Sequence, residues 1–394
     1  MKILLKDFSS IHSGGSAPDK SLFSKTGKPF IRAGSLEFLV RGISIENCER
    51  LDDLIAIESG LKIFPKNSIL FAKSGMSAKM GRIYILPSEA YVVSHLAIIV
   101  PDEKIANPLF IKFYFSHKPP FNLIKDAAYP SISLKDIGNI KIDLPDLETQ
   151  DKIVAILDKA KNLIEKRERT ITKFEELLTA TFWNIFGDPI KNEKGWDKIK
   201  LSKLGTFKNG MNFSRNENGY KLHCIGVSDF KKLSRFSDIK SLPFINLDKK
   251  PTQDYLLKNG DIIFVRSNGS KELVGRSLEI AVDNEDVTFS GFCIRFRCES
   301  KLVNTTYLNH LFRLPSFKSK MLEGGRGANI QNINQDLLGH LDILLPNLNL
   351  QNKFSEIVIK IESNIEKLIQ SKIQLENLLN GLSQSAFNGE LEFN

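Results

Sequence analysis

The sequence predicts an α+β protein in which two globular domains are joined by two long antiparallel helices that form a coiled coil, with a pseudo-two-fold internal repeat. Three observations predict this fold class: an internal repeat of about 200 residues, two long stretches with an apolar residue every 3.5 positions, and short β-rich runs separated by turn residues. The predicted domains are residues 1–143 and 188–345, and the predicted helices occupy residues 144–187 and 346–394.

The repeat is seen first in two copies of the motif L-P-x-L-x-x-Q. Residues 144–150 read LPDLETQ and residues 345–351 read LPNLNLQ, which is an offset of 201 residues. The same offset relates further pairs on both sides of the motif: Ile132 with Ile333, Gly138 with Gly339, Ile164 with Ile365, and Leu177 with Leu378. An ordered series at one offset indicates that the chain is duplicated.

Inside the globular domains the offset drifts, as insertions in surface loops make it do. The matching pairs are Gly14 with Gly210 at 196, Phe71 with Phe264 at 193, Gly81 with Gly275 at 194, and Ser94 with Ser290 at 196. The repeat therefore has a constant helical part and a variable globular part.

Each copy of the motif is followed by a long run whose apolar residues recur on alternating steps of four and three, the pattern of a coiled-coil seam. Arg167 and Thr181 interrupt the first stripe, and Lys372 interrupts the second. The first helix leads to the second domain and the second helix should return, so antiparallel helices about 50 Å long are expected. The two stripes are Ile153, Leu157, Ala160, Ile164, Ile171, Phe174, Leu178 and Ile185, and Phe354, Val358, Ile361, Ile365, Leu368, Leu375, Leu379, Leu382 and Ala386.

Proline and glycine mark the expected ends of both helices. The proline of each motif fits the start of a helix, where its missing N–H costs nothing. The first helix is expected to stop at Phe186-Gly187-Asp188-Pro189 and the second at Phe387-Asn388-Gly389. A different arrangement, in which each helix packs on its own domain, remains open.

Runs rich in Val, Ile, Phe and Tyr predict the strands of the globular domains. They are residues 68–73, 82–86, 91–100 and 140–144 in the first domain, and residues 261–266, 277–282, 287–297 and 341–345 in the second. Helices are predicted at residues 107–115 and 305–314, which makes each domain α+β.

The net charge of +9 is not spread evenly along the chain. The two predicted domains carry +5 and +7, whereas the two predicted helices carry −1 and −2. A polyanion that meets both domains, such as nucleic acid, explains this distribution. A generally Lys-rich proteome is the alternative, but it does not by itself sort charge by segment.

A polar loop rich in Gly and Ser follows the first predicted strand of each domain: residues 73–82 (KSGMSAKMGR) and residues 266–276 (RSNGSKELVGR). Arg and Asn bond base edges in bidentate fashion, and Gly allows close approach of the backbone. A solvated hairpin is the alternative for any single residue, but the loop recurs at the same place in both copies. With a further basic loop at residues 324–327, the predicted DNA-binding residues are Lys73, Ser74, Lys79, Arg82, Arg266, Ser267, Asn268, Lys271, Arg276 and Arg326.

The sequence lacks the motifs of a self-contained enzyme. It has no P-loop, no Gly-rich dinucleotide loop and no spacing of Cys and His that suits zinc, so we expect no catalytic residues, no metal and no cofactor. The four cysteines are expected to be buried free thiols. No apolar run approaches the length of a membrane span, so a cytoplasmic location is expected.

Residues 144–189, with LPDLETQ, ILDKA, IEKRE and LLTATFWNIFGDP in order, resemble the central conserved region of the specificity subunits of type I restriction–modification systems. The segment Phe387-Asn388-Gly389-Glu390-Leu391 resembles the usual C-terminal ending of that family, in which a basic residue often replaces the Asn. The resemblance covers the whole chain, although the globular domains are only loosely similar.

The resemblance implies that each globular domain is a target-recognition domain that reads one half of a split, asymmetric site in double-stranded DNA. The helices would set the spacer and dock two methyltransferase subunits, and motor-nuclease subunits would join the complex. Methylation and ATP-driven cleavage would be activities of those partners. The second motif, LPNLNLQ, lacks the acidic residues of the first. Whether both halves of the chain bind their methyltransferase subunit equally well is therefore an open question. The alternative function is a coiled-coil scaffold with two protein-binding domains, which leaves the sorting of charge unexplained.

Overall fold

The computed structural model of the protein describes residues 2–214, 217–230, 234–270, 272–282, 285–323 and 332–391. The chain divides into two compact units. Unit 1 comprises Met1–Glu168 and Gln370–Asn394, and unit 2 comprises Arg169–Ile369. Each unit thus contains a globular part together with one section of each long helix.

The globular part of unit 1 contains two four-stranded sheets, ordered β2-β9-β6-β7 and β4-β3-β8-β5, and a two-stranded pair, β1-β10, among its described residues. The strands are β1 Lys2–Leu4, β2 Ser9–Ser13, β3 Lys28–Ile31, β4 Arg50–Leu51, β5 Ile63–Phe64, β6 Ile69–Ala72, β7 Tyr84–Ile85, β8 Ala90–Val92, β9 Leu96–Pro101 and β10 Lys141–Asp143. The helices are α1 Ser35–Leu39, α2 Asp53–Glu58, α3 Pro108–His117, α4 Leu134–Gly138 and the long α5 Leu147–Phe186.

The globular part of unit 2 contains a five-stranded sheet, β12-β19-β16-β17-β14, a three-stranded sheet, β15-β13-β18, and the pair β11-β20, again among the described residues. The strands are β11 Asp197–Lys200, β12 Gly205–Asn209, β13 Tyr220–Ile225, β14 Arg235–Phe236, β15 Phe244–Leu247, β16 Ile262–Val265, β17 Ser277–Ile280, β18 Val287–Phe289, β19 Cys293–Cys298 and β20 Asp342–Leu345. The helices are α6 Thr305–Arg313, α7 Pro315–Glu323, α8 Gln335–Gly339 and the long α9 Leu348–Asn388. The predicted α+β class with two globular domains and two long helices is confirmed.

Strands β6 and β16 lie inside their sheets, and every residue of both is buried. Their sequences, ILFA and IIFV, are continuous apolar runs because both faces of the strand are covered. Helices α3 and α6 pack against these sheets, and the Asn before each helix caps it by accepting two backbone N–H groups of the first turn.

The prediction of a single strand at residues 91–100, and of another at residues 287–297, is wrong. Each run forms two strands, β8 and β9 in unit 1 and β18 and β19 in unit 2, and the two strands of a pair belong to different sheets. A three-residue turn separates them and carries the chain from one sheet to the other. Apolar residues flank both sides of this turn, so the pattern of hydrophobicity gave no sign of the break.

The two long helices run antiparallel within each unit. In unit 2, Phe182 and Phe186 near the end of α5 each contact Phe354 near the start of α9, with ring centroids 5.4 Å apart. In unit 1, Leu157 near the start of α5 shares a core with Phe387 near the end of α9. The helices contain 40 and 41 residues, so each is about 60 Å long, somewhat longer than expected.

The glutamine of the first L-P-x-L-x-x-Q motif joins α5 to the globular part of unit 1. Gln150 is fully buried, and its Oε1 accepts the Asn107 N–H at 2.8 Å. Its Nε2 donates to the carbonyls of Pro145 at 2.8 Å and Ile105 at 3.0 Å. One side chain therefore satisfies three backbone groups where α3 and α5 both begin.

Gln351 makes the same three hydrogen bonds in unit 2. Its Oε1 accepts the Asn304 N–H at 2.8 Å, and its Nε2 donates to Pro346 O at 2.8 Å and Leu302 O at 3.2 Å. Since a buried polar group without partners is costly, this shared set of bonds explains why the motif has the same glutamine in both copies.

Both motif prolines lie two residues before the first helical residue, not in the first turn, where the sequence predicts them. Asp146 and Asn347 occupy the capping positions, and each accepts a backbone N–H of the first turn at 2.8 Å. The proline carbonyl is used instead, as the acceptor for the buried glutamine.

Candidate nucleic-acid interface

The two predicted polar loops leave equivalent strands at the same end of equivalent sheets. Residues 73–82 connect β6 to β7, and residues 266–276 connect β16 to β17. In unit 1 the next strand in the sheet, β9, begins beside the end of β6, because Ala72 pairs with Leu96. In unit 2, Val265 pairs with Cys293 in the same way.

The backbone around the two loops has the same hydrogen bonds. The N–H of Lys73 donates to His95 O at 2.9 Å, and the N–H of Arg266 donates to Phe292 O at 2.7 Å. Next, Ser74 forms an isolated bridge with Ser131, and Ser267 forms one with Asn332. The loop residues Lys73 and Arg266 are thus structural counterparts.

A third segment, at the end of β2 or β12, completes each of these surfaces. A Cβ on Gly14 would lie 2.1 Å from Val92 O, and a Cβ on Gly210 would lie 2.0 Å from Ser290 O. Glycine is therefore required at both positions, because a methyl group would overlap the neighbouring carbonyl. We call the resulting surfaces the loop edges: residues 13–15, 73–82, 94–95 and 131 in unit 1, and residues 209–212, 266–276, 291–292 and 332 in unit 2 as far as they are described.

The structure sharpens one detail of the repeat. The N–H of Ser94 donates to Gly15 O, and the N–H of Gly291 donates to Met211 O, both at 2.7 Å. The counterpart of Ser94 is therefore Gly291, one residue beyond the Ser290 that sequence matching pairs with it.

In unit 1, the predicted contact residues differ in how they are held. Lys79 is exposed, and its Nζ donates to the backbone carbonyl Ala127 O at 2.6 Å. Arg82, in contrast, pairs with the Glu37 carboxylate at 3.3 Å, which offsets its charge. Lys73 and Ser74 are half-buried beside the turn at His95.

In unit 2, Arg266, Ser267 and Asn268 lie together at the start of the loop and are each half-buried. The Asn268 Oδ1 accepts the Ser270 N–H at 2.7 Å, so this side chain shapes the loop itself. Of the remaining predicted residues, Lys271 and Arg326 lie outside the described residues.

Arg276 is at the other end of the loop and is directed inward. Its guanidinium donates to Phe230 O at 3.0 Å and lines a cavity of about 330 Å³ together with Glu175, Arg313 and Glu362. The structure therefore brings three of the predicted unit 2 residues together and separates Arg276 from them.

A buried polar cluster lies on the wall of this cavity. Glu362 of α9 accepts the Ser234 N–H at 3.1 Å and also the Ser234 hydroxyl, and this hydroxyl is 3.0 Å from His310 Nε2. Burial lowers the pKa of His310 to about 3, so its ring is neutral at neutral pH. Burial also raises the pKa of Glu362, although the bonds from Ser234 oppose this effect.

Two exposed residues of the loop edges, His95 and Phe292, were missed in the sequence. They lie in the turns that sequence analysis placed inside continuous strands. The Ser-Gly pair before Phe292 is a turn signal that would have found the second of them.

The four cysteines of the chain are all free thiols. Three cysteines, Cys48, Cys224 and Cys293, are buried free thiols as expected, whereas Cys298 is partly exposed. Burial raises the pKa of Cys48 to about 11 and that of Cys224 to about 12, which makes both poor nucleophiles.

Across the described part of the chain, no group of three or more His, Cys, Asp or Glu side chains is arranged to hold a metal ion. In the same part, no helix combines the length and the hydropathy needed to span a membrane.

Comparison with known families gives a match over most of the chain. The family described as Type I restriction modification DNA specificity domain matches residues 1–174 and again residues 193–377. The two matches follow the internal repeat.

Two curated relatives are similar over nearly the full length. The chain is 26% identical over 390 residues to the Type I restriction enzyme StySPI specificity subunit of Salmonella potsdam, covering 90% of this chain and 82% of the relative. It is 23% identical over 399 residues to the Type I restriction enzyme EcoKI specificity subunit of Escherichia coli (strain K12), with the same two coverages.

Two solved structures share the fold. The S subunit of a type I restriction–modification system from M. genitalium aligns over 100% of this chain and 96% of its own, with a TM-score of 0.56 and 14% identity. A chain from a structural study of complex assembly and conformational transition of the type I system aligns over 99% and 98%, with a TM-score of 0.58 and 16% identity. At these identities the likeness concerns the fold alone.

Proposed function

This chain belongs to the family of type I restriction–modification specificity subunits, and from this premise we propose that its two globular domains are target-recognition domains that each read one half of a bipartite, asymmetric DNA site. The function of the family is sequence-specific recognition of DNA, and specificity subunits are non-catalytic. Methylation and ATP-dependent cleavage belong to partner subunits.

The observation that carries the proposal is the duplicated loop edge. The same backbone hydrogen bonds hold Lys73 in unit 1 and Arg266 in unit 2, whereas the side chains around them differ. Cations near phosphates supply affinity that falls with salt, and different side chains on one scaffold read different bases. Two unlike readers imply a site whose halves differ in sequence.

We assign residues 1–143 and 188–345 to the two target-recognition domains, and residues 144–187 and 346–394 to the conserved spacer helices. Half-sites on one face of DNA lie about one helical turn apart, roughly 34 Å, and rigid helices are suited to hold two readers at a constant separation. Inserting or deleting residues within 152–185 is therefore expected to change the spacer and leave both half-sites intact.

The spacer helices also offer a docking surface for two methyltransferase subunits. Leu177 of α5 and Leu378 of α9, which are equivalent in the repeat, are large apolar side chains that are 49% and 52% exposed, respectively. Exposed apolar residues at equivalent positions suit two copies of one partner. Motor-nuclease subunits complete the complex, which we place in the cytoplasm with the DNA that it modifies.

Mapping methylated adenines across the genome, with and without this gene, tests the proposal. Loss of one split, asymmetric motif is the expected result. An unchanged pattern of methylation, in cells where the partner methyltransferase is shown to be expressed and active, would contradict it. The matched control is a strain in which the intact gene is restored, which should regain the same motif.

A further inference from the structure

We propose that one structurally equivalent position, occupied by His95 in unit 1 and by Phe292 in unit 2, is a base-reading position of each half-site. Phe292 would contact the methyl group of a thymine, and His95 would form a hydrogen bond with a base edge. The inference rests on the proposed DNA-reading function and names residues that specify sequence within it.

The backbone places the two residues at the same point. The carbonyl of His95 accepts the Lys73 N–H, and the carbonyl of Phe292 accepts the Arg266 N–H. Each residue immediately precedes the first residue of an equivalent strand, β9 or β19. Each therefore lies directly beside the leading cation of its loop, where a DNA backbone held by that cation brings base edges within reach.

Phe292 is exposed on an ordered backbone. Its side chain is 61% exposed, yet its N–H donates to Ser290 Oγ at 3.3 Å and its carbonyl is held at 2.7 Å by Arg266. Burial of an aromatic ring is favourable, so a partner that covers the ring gains binding free energy. A fixed turn that holds the ring in solvent leaves it available for such a partner. In the major groove the matching apolar group is the thymine methyl, which Phe is able to contact.

His95 shares the exposure but has different chemistry. The Ser74 hydroxyl lies 2.8 Å from its Nδ1, so the predicted loop residue Ser74 orients the ring. The other ring nitrogen, Nε2, is then available for a base edge, as donor or acceptor according to the tautomer. One position thus carries an apolar reader in one unit and a polar reader in the other, which fits two unlike half-sites.

The test uses the full chain assembled with its methyltransferase subunits, on duplexes that carry the motif found by methylation mapping. The probe is a set of duplexes in which each thymine of the motif is replaced in turn by uracil, which lacks only the methyl group. Wild-type protein is expected to lose about fourfold in affinity at one thymine, the factor for burying one methyl group. Phe292→Ala is expected to bind the thymine and uracil duplexes equally.

Matched controls come from the opposite end of the same strands. Leu302 and Ile105 are also equivalent in the repeat, are 55% and 44% exposed, and lie about 20 Å from the loop edges along six-residue strands. Leu302→Ala and Ile105→Ala should retain the wild-type motif and its uracil sensitivity. His95→Ala should relax one position of the other half-site, with no change in the half-site that Phe292 reads.

The outcomes separate this inference from the proposed function. If the wild-type complex binds no split motif, the proposed function itself fails. If it does bind such a motif, but Phe292→Ala keeps the uracil sensitivity of wild type, or His95→Ala methylates an unchanged motif, the assignment of this position is overturned. The dependence of affinity on salt should be the same for Phe292→Ala and wild type, because no charge is removed.

Discussion

Units 1 and 2 share one scaffold but differ where the globular part meets the long helices. Six residues beyond the capping Asn of α3 and α6, unit 1 has the buried Phe113 and unit 2 has the buried His310. The long helices differ in the same way at two positions that the repeat makes equivalent. Lys161 of α5 is exposed enough to pair with Glu165 at 3.9 Å, whereas Glu362 of α9 is only 8% exposed. Both solutions fill the same place, one mainly with apolar contacts and the other with a hydrogen-bonded cluster.

The duplicated framework therefore depends on the shared backbone contacts and not on one particular core chemistry. The motif glutamines and their three hydrogen bonds are the same in both units, whereas the packing beside them has diverged. A polar core position is tolerated in unit 2 because Ser234 supplies partners to both His310 and Glu362. Changes at shared positions should therefore act equally in both units, and changes at the divergent position should act in one.

The largest effect is expected at the shared position. Gln150→Ala and Gln351→Ala each leave one backbone N–H and two carbonyls without hydrogen-bond partners in a buried site. This loss should lower the free energy of unfolding by about 3 kcal/mol. Urea unfolding followed by circular dichroism measures the loss. Gln374→Ala, on an exposed site of α9, is the control and should change little. A large loss in only one of the two motif variants would contradict the equivalence of the two units.

The next effect distinguishes the units by pH. The unfolded chain protonates this imidazole below its ordinary pKa of 6.5, whereas folded His310 stays neutral down to about pH 3, so unit 2 loses stability as the pH falls through that window. His310→Phe should remove about 2 kcal/mol of this loss between about pH 7 and pH 5. Burial raises the pKa of Glu362, so this residue makes the opposite contribution to the change of stability with pH. Glu362 is present in both wild type and His310→Phe.

Urea unfolding at a series of pH values measures this difference, and identical pH profiles for wild type and His310→Phe would overturn it. The converse substitution, Phe113→His, should add acid sensitivity to unit 1 beyond that from His12 and His117, whose pKa values burial also lowers. Together the two variants exchange the character of the two units.

A third prediction separates the two arginines of the second loop. Arg266→Ala and Arg276→Ala should each alter recognition of one half-site and leave the other half and the spacer unchanged. Arg266→Ala should also lower the slope of log affinity against log salt by about 1, as expected for a lost phosphate contact. Arg276→Ala should leave that slope unchanged, since its guanidinium is bound to Phe230 O. Binding titrations over a range of salt concentrations, and methylation mapping, check both; a changed spacer in either variant would refute the division of labour.

The smallest effect concerns the polar interruption of the helix seam in unit 1. Lys372 pairs with Glu168 across the helices and with Glu376 along α9, and Glu168 raises the pKa of its ammonium group. Because the pair is partly exposed, Lys372→Met should change unfolding free energy by less than about 1 kcal/mol, and less in high salt. Melting curves at low and high salt measure this. An effect as large as that of Gln150→Ala would show that the polar interruption, and not the motif, dominates the stability of unit 1.

Much of the candidate site could be predicted because its signals are local. The loops at residues 73–82 and 266–276 were found from composition and from their recurrence, and both connect the strands expected of them. The direction of an arginine was not predictable, since Arg82 meets Glu37 and Arg276 meets Phe230 through contacts distant in sequence. The assignment of the predicted residues to DNA contact stays a prediction.

The duplication, the two long helices and the α+β class could all be recognised in the amino-acid sequence, because each is recorded there as a period or an offset and none requires knowledge of contacts. Tertiary contacts, in contrast, establish that β8 and β9, and likewise β18 and β19, are separate strands, and that the motif glutamines join each helix to a globular part. A run of apolar residues indicates that a segment is buried, but it does not show which sheet covers that segment. A single glutamine, likewise, does not reveal the three backbone groups that folding brings around it.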